Sequence, residues 1–143
     1  MATLKIIELS VGDWVYYDKG NTPYSIRSIY RTGTGDCVVL NDNKYPEGVI
    51  AFVDRLTPIP ITAEILEKNG WRNIEKEVLG DDYVYDGEER VWDDGNCRIE
   101  ICEEKQGVFW YSWGVEYYMW RLEYVHQLQH LIRLTGVDKE INL

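Results

Sequence analysis

The chain has 143 residues, 45% of them hydrophobic, and carries 25 acidic against 15 basic side chains for a formal charge of −10. That length suits one ordinary domain or two small units, and the apolar content excludes global disorder. The charge disfavours a phosphate-backbone partner, and it is uneven: seven bases face nine acids over residues 1–71, and eight face sixteen over residues 72–143.

In chain order, the stretch from Met1 to Ser10 has no signal-peptide core, since Glu8 and then Asp13 interrupt it, and no later apolar run reaches membrane-span length. Cys37, Cys97 and Cys102 show no C-x-x-C spacing and read as free thiols of a reducing compartment. The expectation is a soluble, cytoplasmic protein.

Residues 1–60 read as short strands between turns. Gly12 to Tyr17 is a strand, with turn chemistry after it from Asp18 to Asn21. Tyr24 to Arg31 alternates, Gly33-Thr34-Gly35 breaks the run, and Asp36 to Leu40 resumes it. Asn41 to Lys44 makes another turn before a strand from Val49 to Val53. Strands this short and evenly spaced predict an SH3-like small β-barrel as a first unit.

Pro58-Ile59-Pro60 is an extended connector, and residues 61–143 form the second part. Thr62 is placed to cap a helix from Ala63 to Asn69, and Gly70 followed by apolar Trp71 has the pattern of a Schellman stop. From Ile74 to Trp120 the pattern predicts an antiparallel sheet, with strands near 74–79, 83–86, 89–93, 97–103, 107–113 and 115–120. Asp86-Gly87, Asp93-Asp94-Gly95-Asn96 and Gly107 mark its turns. A C-terminal helix from about Leu122 to Thr135 ends at Gly136-Val137 in the same way as the first. The expected fold class is therefore α+β: the SH3-like unit, 1–60, packed with a helix-backed antiparallel sheet, 61–143, with one compact domain formed by both as the alternative.

His126 and His130 lie four apart on that last helix, the spacing of the zinc-protease H-E-x-x-H motif, but Gln127 stands where the general base belongs. There is no third histidine. Helical projection gathers Tyr124, Val125, Leu128, Leu131, Ile132 and Thr135 on one face and puts His126, His130 and Arg133 opposite. The pair reads either as a solvated polar face or with His126 hydrogen-bonded to a loop of the N-terminal unit. A metal-dependent enzyme built on His126 and His130 is the alternative from a different class.

The acidic turns at Asp81–Gly87 and Asp93–Asn96 miss the calcium-loop register, with Val84 at a ligand position in the first and the second too short. Nothing singles out a carboxylate pair for glycoside hydrolysis, a phosphate-cradling loop or a nucleophile elbow. No catalytic residue and no cofactor are expected.

The run Phe109-Trp110-Tyr111-Ser112-Trp113, continued by Tyr117-Tyr118-Met119-Trp120, puts large aromatics on both faces of the sheet. One face suits the helix. The other suits the first unit, a second subunit or a protein partner. The expected function is a non-enzymatic protein–protein interaction module, with Trp110, Trp113 and Tyr118 as anchors and Asp93 and Asp94 on an acidic rim. A homo-oligomer is the alternative occupant, and a further reading treats the acidic segment as a nucleic-acid mimic that blocks a host DNA-binding protein.

Three stretches carry a resemblance: Val11-Gly12-Asp13-Trp14-Val15, Pro58 to Trp71 (PIPITAEILEKNGW) and Tyr124 to Gln129 (YVHQLQ). Together they resemble a family of small proteins encoded in bacterial prophages and mobile elements of gut commensals. The resemblance spans nearly the whole chain and implies an accessory protein made inside a bacterial cell. The family has no assigned activity, so it transfers no catalytic residue.

Overall fold

The computed structural model describes residues 4–74, 80, 91–101, 107–113 and 119–143. Strands dominate, in two five-stranded antiparallel sheets joined by few helices, an α+β architecture. The chain divides into two compact units, residues 1–59 with 124–126 and 143, and residues 60–123 with 127–142.

The first unit holds β1 (Trp14–Tyr17), β2 (Pro23–Thr32), β3 (Gly35–Leu40), β4 (Val49–Phe52) and β5 (Leu56–Pro58), in the order β4-β3-β2-β1-β5. The sheet does not close on itself, since β4 and β5 are its edges. Asp18 and Lys19 take left-handed φ values of 55° and 60° in the turn after β1, where the sequence places turn residues. A single 3-10 turn, Val53–Arg55, links β4 to β5. The Arg55 guanidinium pairs there with the Asp18 carboxylate and lies over the Tyr17 ring. Alternation puts Val15, Ile26, Val38, Leu40 and Ala51 into one core with Leu4, Leu9, Val53 and Leu56. Asp13, fully buried, accepts a hydrogen bond from the Ser10 amide at 2.8 Å and so fixes the bend into β1.

The second unit contains α1 (Ala63–Lys68), β6 (Arg72–Asn73), β7 (Val91–Asp93), β8 (Cys97–Ile101), β9 (Phe109–Trp113) and β10 (Met119–Leu122), in sheet order β10-β9-β8-β7-β6. The expected strands near 74–79 and 83–86 lie almost wholly outside the described residues. Thr62 caps α1 by accepting the Ile65 amide at 3.3 Å. The helix stops as the sequence predicts: Gly70 has φ 87°, and the Trp71 amide reaches back to the Leu66 carbonyl at 3.0 Å. The last helix, α2 (Val125–Leu134), ends identically, with Gly136 at φ 71° and the Val137 amide on the Ile132 carbonyl at 3.2 Å.

Cross-strand register sorts the second sheet into two faces. Trp92, Ile99, Tyr111 and Trp120 share one row, and the first three of them are buried. Trp92 meets Phe109 edge-on at 6.2 Å, and the Tyr111 hydroxyl, 3.3 Å from Thr135 Oγ1, ties β9 to the end of α2. The opposite face carries Asp93, Arg98, Glu100 and Arg121 around Trp110. Among the described residues no helix is long and apolar enough to cross a membrane.

Candidate functional site

The two tryptophans expected as anchors stand at strand positions of opposite parity. Trp110 pairs with Glu100 and Arg121, whereas Trp113 pairs with Cys97; three residues apart on one strand, the two occupy positions of opposite parity. Trp110 itself is half-buried, and Tyr118 lies outside the described residues. The sequence shows that aromatics occur at both parities, but only the pairing with β8 and β10 shows which neighbours each one has.

The acidic rim is also redistributed. Asp93 accepts the Gly95 amide at 2.6 Å and pairs with Arg98 at 3.5 Å. Asp94 turns inward: its side chain is 3% exposed and meets Lys139 at 2.5 Å, while its other oxygen accepts the Asn96 and Cys97 amides at 2.9 and 3.0 Å. Gly95, at φ 90°, completes the turn, so both acids close a hairpin and Asp94 also holds the C-terminal segment. Burial alone would raise the Asp94 carboxyl. The Lys139 hydrogen bond and the two amides outweigh it and hold the group below the usual carboxylate range. Residues 81–90 and 102–104 of the acidic segment lie outside the described residues.

Lys139 also stands over the Trp71 ring, Nζ 3.7 Å from its centroid. Three residues after Lys139, Asn142 exchanges hydrogen bonds with Asn69, Nδ2 to the Asn142 carbonyl at 2.9 Å and the Asn142 amide to Oδ1 at 2.8 Å. These contacts join α1, the β7–β8 turn and the C-terminal segment within the second unit. They are a structural clasp.

Beneath the clasp lies Cys97, its sulfur 3.6 Å from Asp94. Burial pushes this thiol up to about 11, the Tyr111 hydroxyl opposing and the Asp94 carboxylate adding to the rise. At pH 8 only about one molecule in a thousand then carries the thiolate, the form that reacts. Iodoacetamide at pH 8 is therefore expected to leave Cys97 unmodified in the folded protein and to label it in denaturant, read by peptide mass spectrometry. Labelling at equal rates in both states would contradict the assignment. The linkage sign is fixed by the same shift. The unfolded thiol loses its proton first, so stability falls as pH rises from about 9 towards about 11, by roughly 2–3 kcal/mol.

Of the two structural readings of the histidine pair, burial of His126 removes the solvated face. Val125, His126, Leu128, Gln129 and Ile132 are all buried, a broader arc than the apolar stripe alone. His126 is 4% exposed and stacks flat on Tyr124, ring centroids 5.9 Å apart, while His130 is half-buried. An imidazole enclosed in this way is a packing element. Among the described residues no three His, Cys, Asp or Glu side chains are grouped as metal ligands.

Among the described residues, most of the exposed large apolar side chains lie instead on the first unit, at residues that sequence reasoning did not single out. Tyr30, Cys37 and Phe52 form one row across β2, β3 and β4, and Ser28, Val39 and Ile50 form the next. Tyr30, Ile50 and Phe52 are 53%, 71% and 51% exposed. Phe52 borders a groove of about 460 Å³. Ile7, 75% exposed, lines the same groove, flanked by Lys5, Asp36 and Asp54. The available signal was the shared parity of Ile50 and Phe52. Val49 and Ala51 hid it, because an all-apolar strand reads as buried on both faces.

No protein-family model matches the chain, and neither a curated protein nor a solved structure matches it.

Proposed function

We propose that the chain is a non-enzymatic protein-binding module whose contact surface is the outer face of the first sheet. The observation that carries this reading is that Ile50 and Phe52, alternate residues of β4, are exposed on one face of the first sheet, with Tyr30 exposed two strands away and Ile7 lining the same groove as Phe52. A monomeric protein scatters its exposed apolar side chains, and a continuous patch bordered by charges marks a site of association. The order β5-β1-β2-β3-β4, with a 3-10 turn between β4 and β5, supports an SH3-like reading of this unit as an open five-stranded arrangement. A role as an accessory protein of a phage or mobile element, inside a bacterial cell, agrees with the resemblance of its three sequence stretches.

The test is selective loss of binding. Ile50→Lys combined with Phe52→Lys alters only exposed positions and is expected to keep the thermal midpoint within a few degrees. Proteins co-purified by the tagged wild-type chain should be absent from the double variant and retained by Trp110→Ala. Retention by the double variant, or loss with Trp110→Ala alone, would move the site to the second sheet.

A further inference from the structure

We infer that the clasp of the second unit is a peptide-recognition site, in which Asp94, Trp71 and Asn69 receive an extended, lysine-bearing segment of another protein. The chain's own residues 138–142 occupy that site as a built-in ligand. The site lies within the second unit and does not rest on the first-sheet reading. Segment 138–142 takes neither helix nor strand. Ile141 is buried and Lys139 largely enclosed, whereas Asp138, Glu140 and Asn142 are exposed. That is the alternation of an extended chain read from one side.

Three groups read it. The Lys139 ammonium sits 2.5 Å from the Asp94 carboxylate and 3.7 Å from the centre of the Trp71 ring, so one head group receives a charge-assisted bond and a cation–π contact. Asn69 addresses only main chain, donating to the Asn142 carbonyl and accepting its amide. Each of the three is also held by contacts that owe nothing to the segment. Asp94 accepts the Asn96 and Cys97 amides, Asn69 Nδ2 donates to the Ile65 carbonyl at 2.8 Å, and the Trp71 amide is fixed on the Leu66 carbonyl. Groups set in place beforehand suit a binding site, because less freedom is lost when the ligand arrives. The exposed Glu140 and Asn142 side chains are left unread. The ligand is therefore a lysine followed two residues later by an apolar side chain, and the formal charge of −10 draws basic segments towards it. Joined in cis, segment 138–142 competes at an effective concentration on the order of millimolar or above, which makes it an autoinhibitor.

The test uses the full chain and a dye-labelled peptide with the sequence of residues 136–143, titrated by fluorescence anisotropy. Two variants weaken the cis segment. One combines Lys139→Ser with Ile141→Ser; the other carries a Gly-Ser insert of about ten residues after Asp138, which keeps every clasp residue and lowers the effective concentration. Both should retain the wild-type circular dichroism spectrum. The double variant should bind the peptide at least about tenfold more tightly than wild type, the worth of one charge-assisted bond, with the insert between them. The peptide carrying Lys139→Gln should bind the double variant at least about tenfold more weakly. Binding that is equal in wild type and both variants, absent from both variants, or indifferent to Lys139→Gln in the peptide overturns the inference. If one variant loses its folded spectrum, the other decides. Loss of the fold in both also overturns it, because segment 138–142 would then be core and not ligand.

Discussion

Trp71→Ala is expected to destabilise the protein more than any surface change, by about 4 kcal/mol, the usual cost of deleting a buried indole. Three contributions converge on this residue. The ring is 2% exposed, so its removal leaves a cavity. Its face supports the Lys139 ammonium, and its amide closes α1 by bonding the Leu66 carbonyl. The backbone bond survives substitution, but the ring that anchors the C-terminal segment does not. Since whole domains are stable by only about 5–15 kcal/mol, the variant should unfold at markedly lower urea. Equilibrium denaturation followed by tryptophan fluorescence and circular dichroism measures it. A change below about 1 kcal/mol would mean that Trp71 does not sit in the core.

Asp94→Ala is expected to cost about 3 kcal/mol, because it strands a largely buried Lys139 and unpairs two amides of the β7–β8 turn. Removing both members of the ion pair should cost less than the sum of the single losses. The pH dependence follows from the direction of the carboxyl shift. The folded value lies below the unfolded one, so the stabilisation is complete above about pH 4 and is lost as pH falls through the folded value. The gap between wild type and Asp94→Ala should therefore be constant from pH 5 to 7 and shrink below about pH 4. A gap that widens in acid would contradict the pairing. With Trp71→Ala the effect should be non-additive, since Lys139 joins both residues.

How legible each feature was depends on how local its cause is. The Thr62 cap and the stops at Gly70-Trp71 and Gly136-Val137 are written within a few residues, and the structure places all three as read. The α+β class and the antiparallel strands followed from alternation and turn residues. Tertiary pairings were not legible. Lys139 and Asp94 are 45 residues apart, and neither residue advertises the other. The acidic composition suggested a solvated rim, whereas Asp94 is consumed inside the fold. Helical projection leaves His126 either solvated or hydrogen-bonded to a loop, and only its burial against Tyr124 decides against the first of these.

The same limit applies to the candidate surface. Six tryptophans drew attention to the second sheet, where register buries Trp92 and surrounds Trp110 with charge. The first sheet is set by pairing β1 with β5, which brings Val15 opposite Pro58 and leaves β4 at an edge. That edge status, a consequence of long-range topology, turns an ordinary apolar strand into an exposed one.

The most direct test of the binding surface is photocrosslinking inside the producing cell, with a benzophenone side chain placed singly at positions 50, 52, 110 and 134. Adducts from 50 and 52, whether to a second copy or to another protein, with none from 110 or 134, are the predicted result. Adducts confined to position 110, or equal yields at all four positions, would contradict the assignment of the surface to the first sheet.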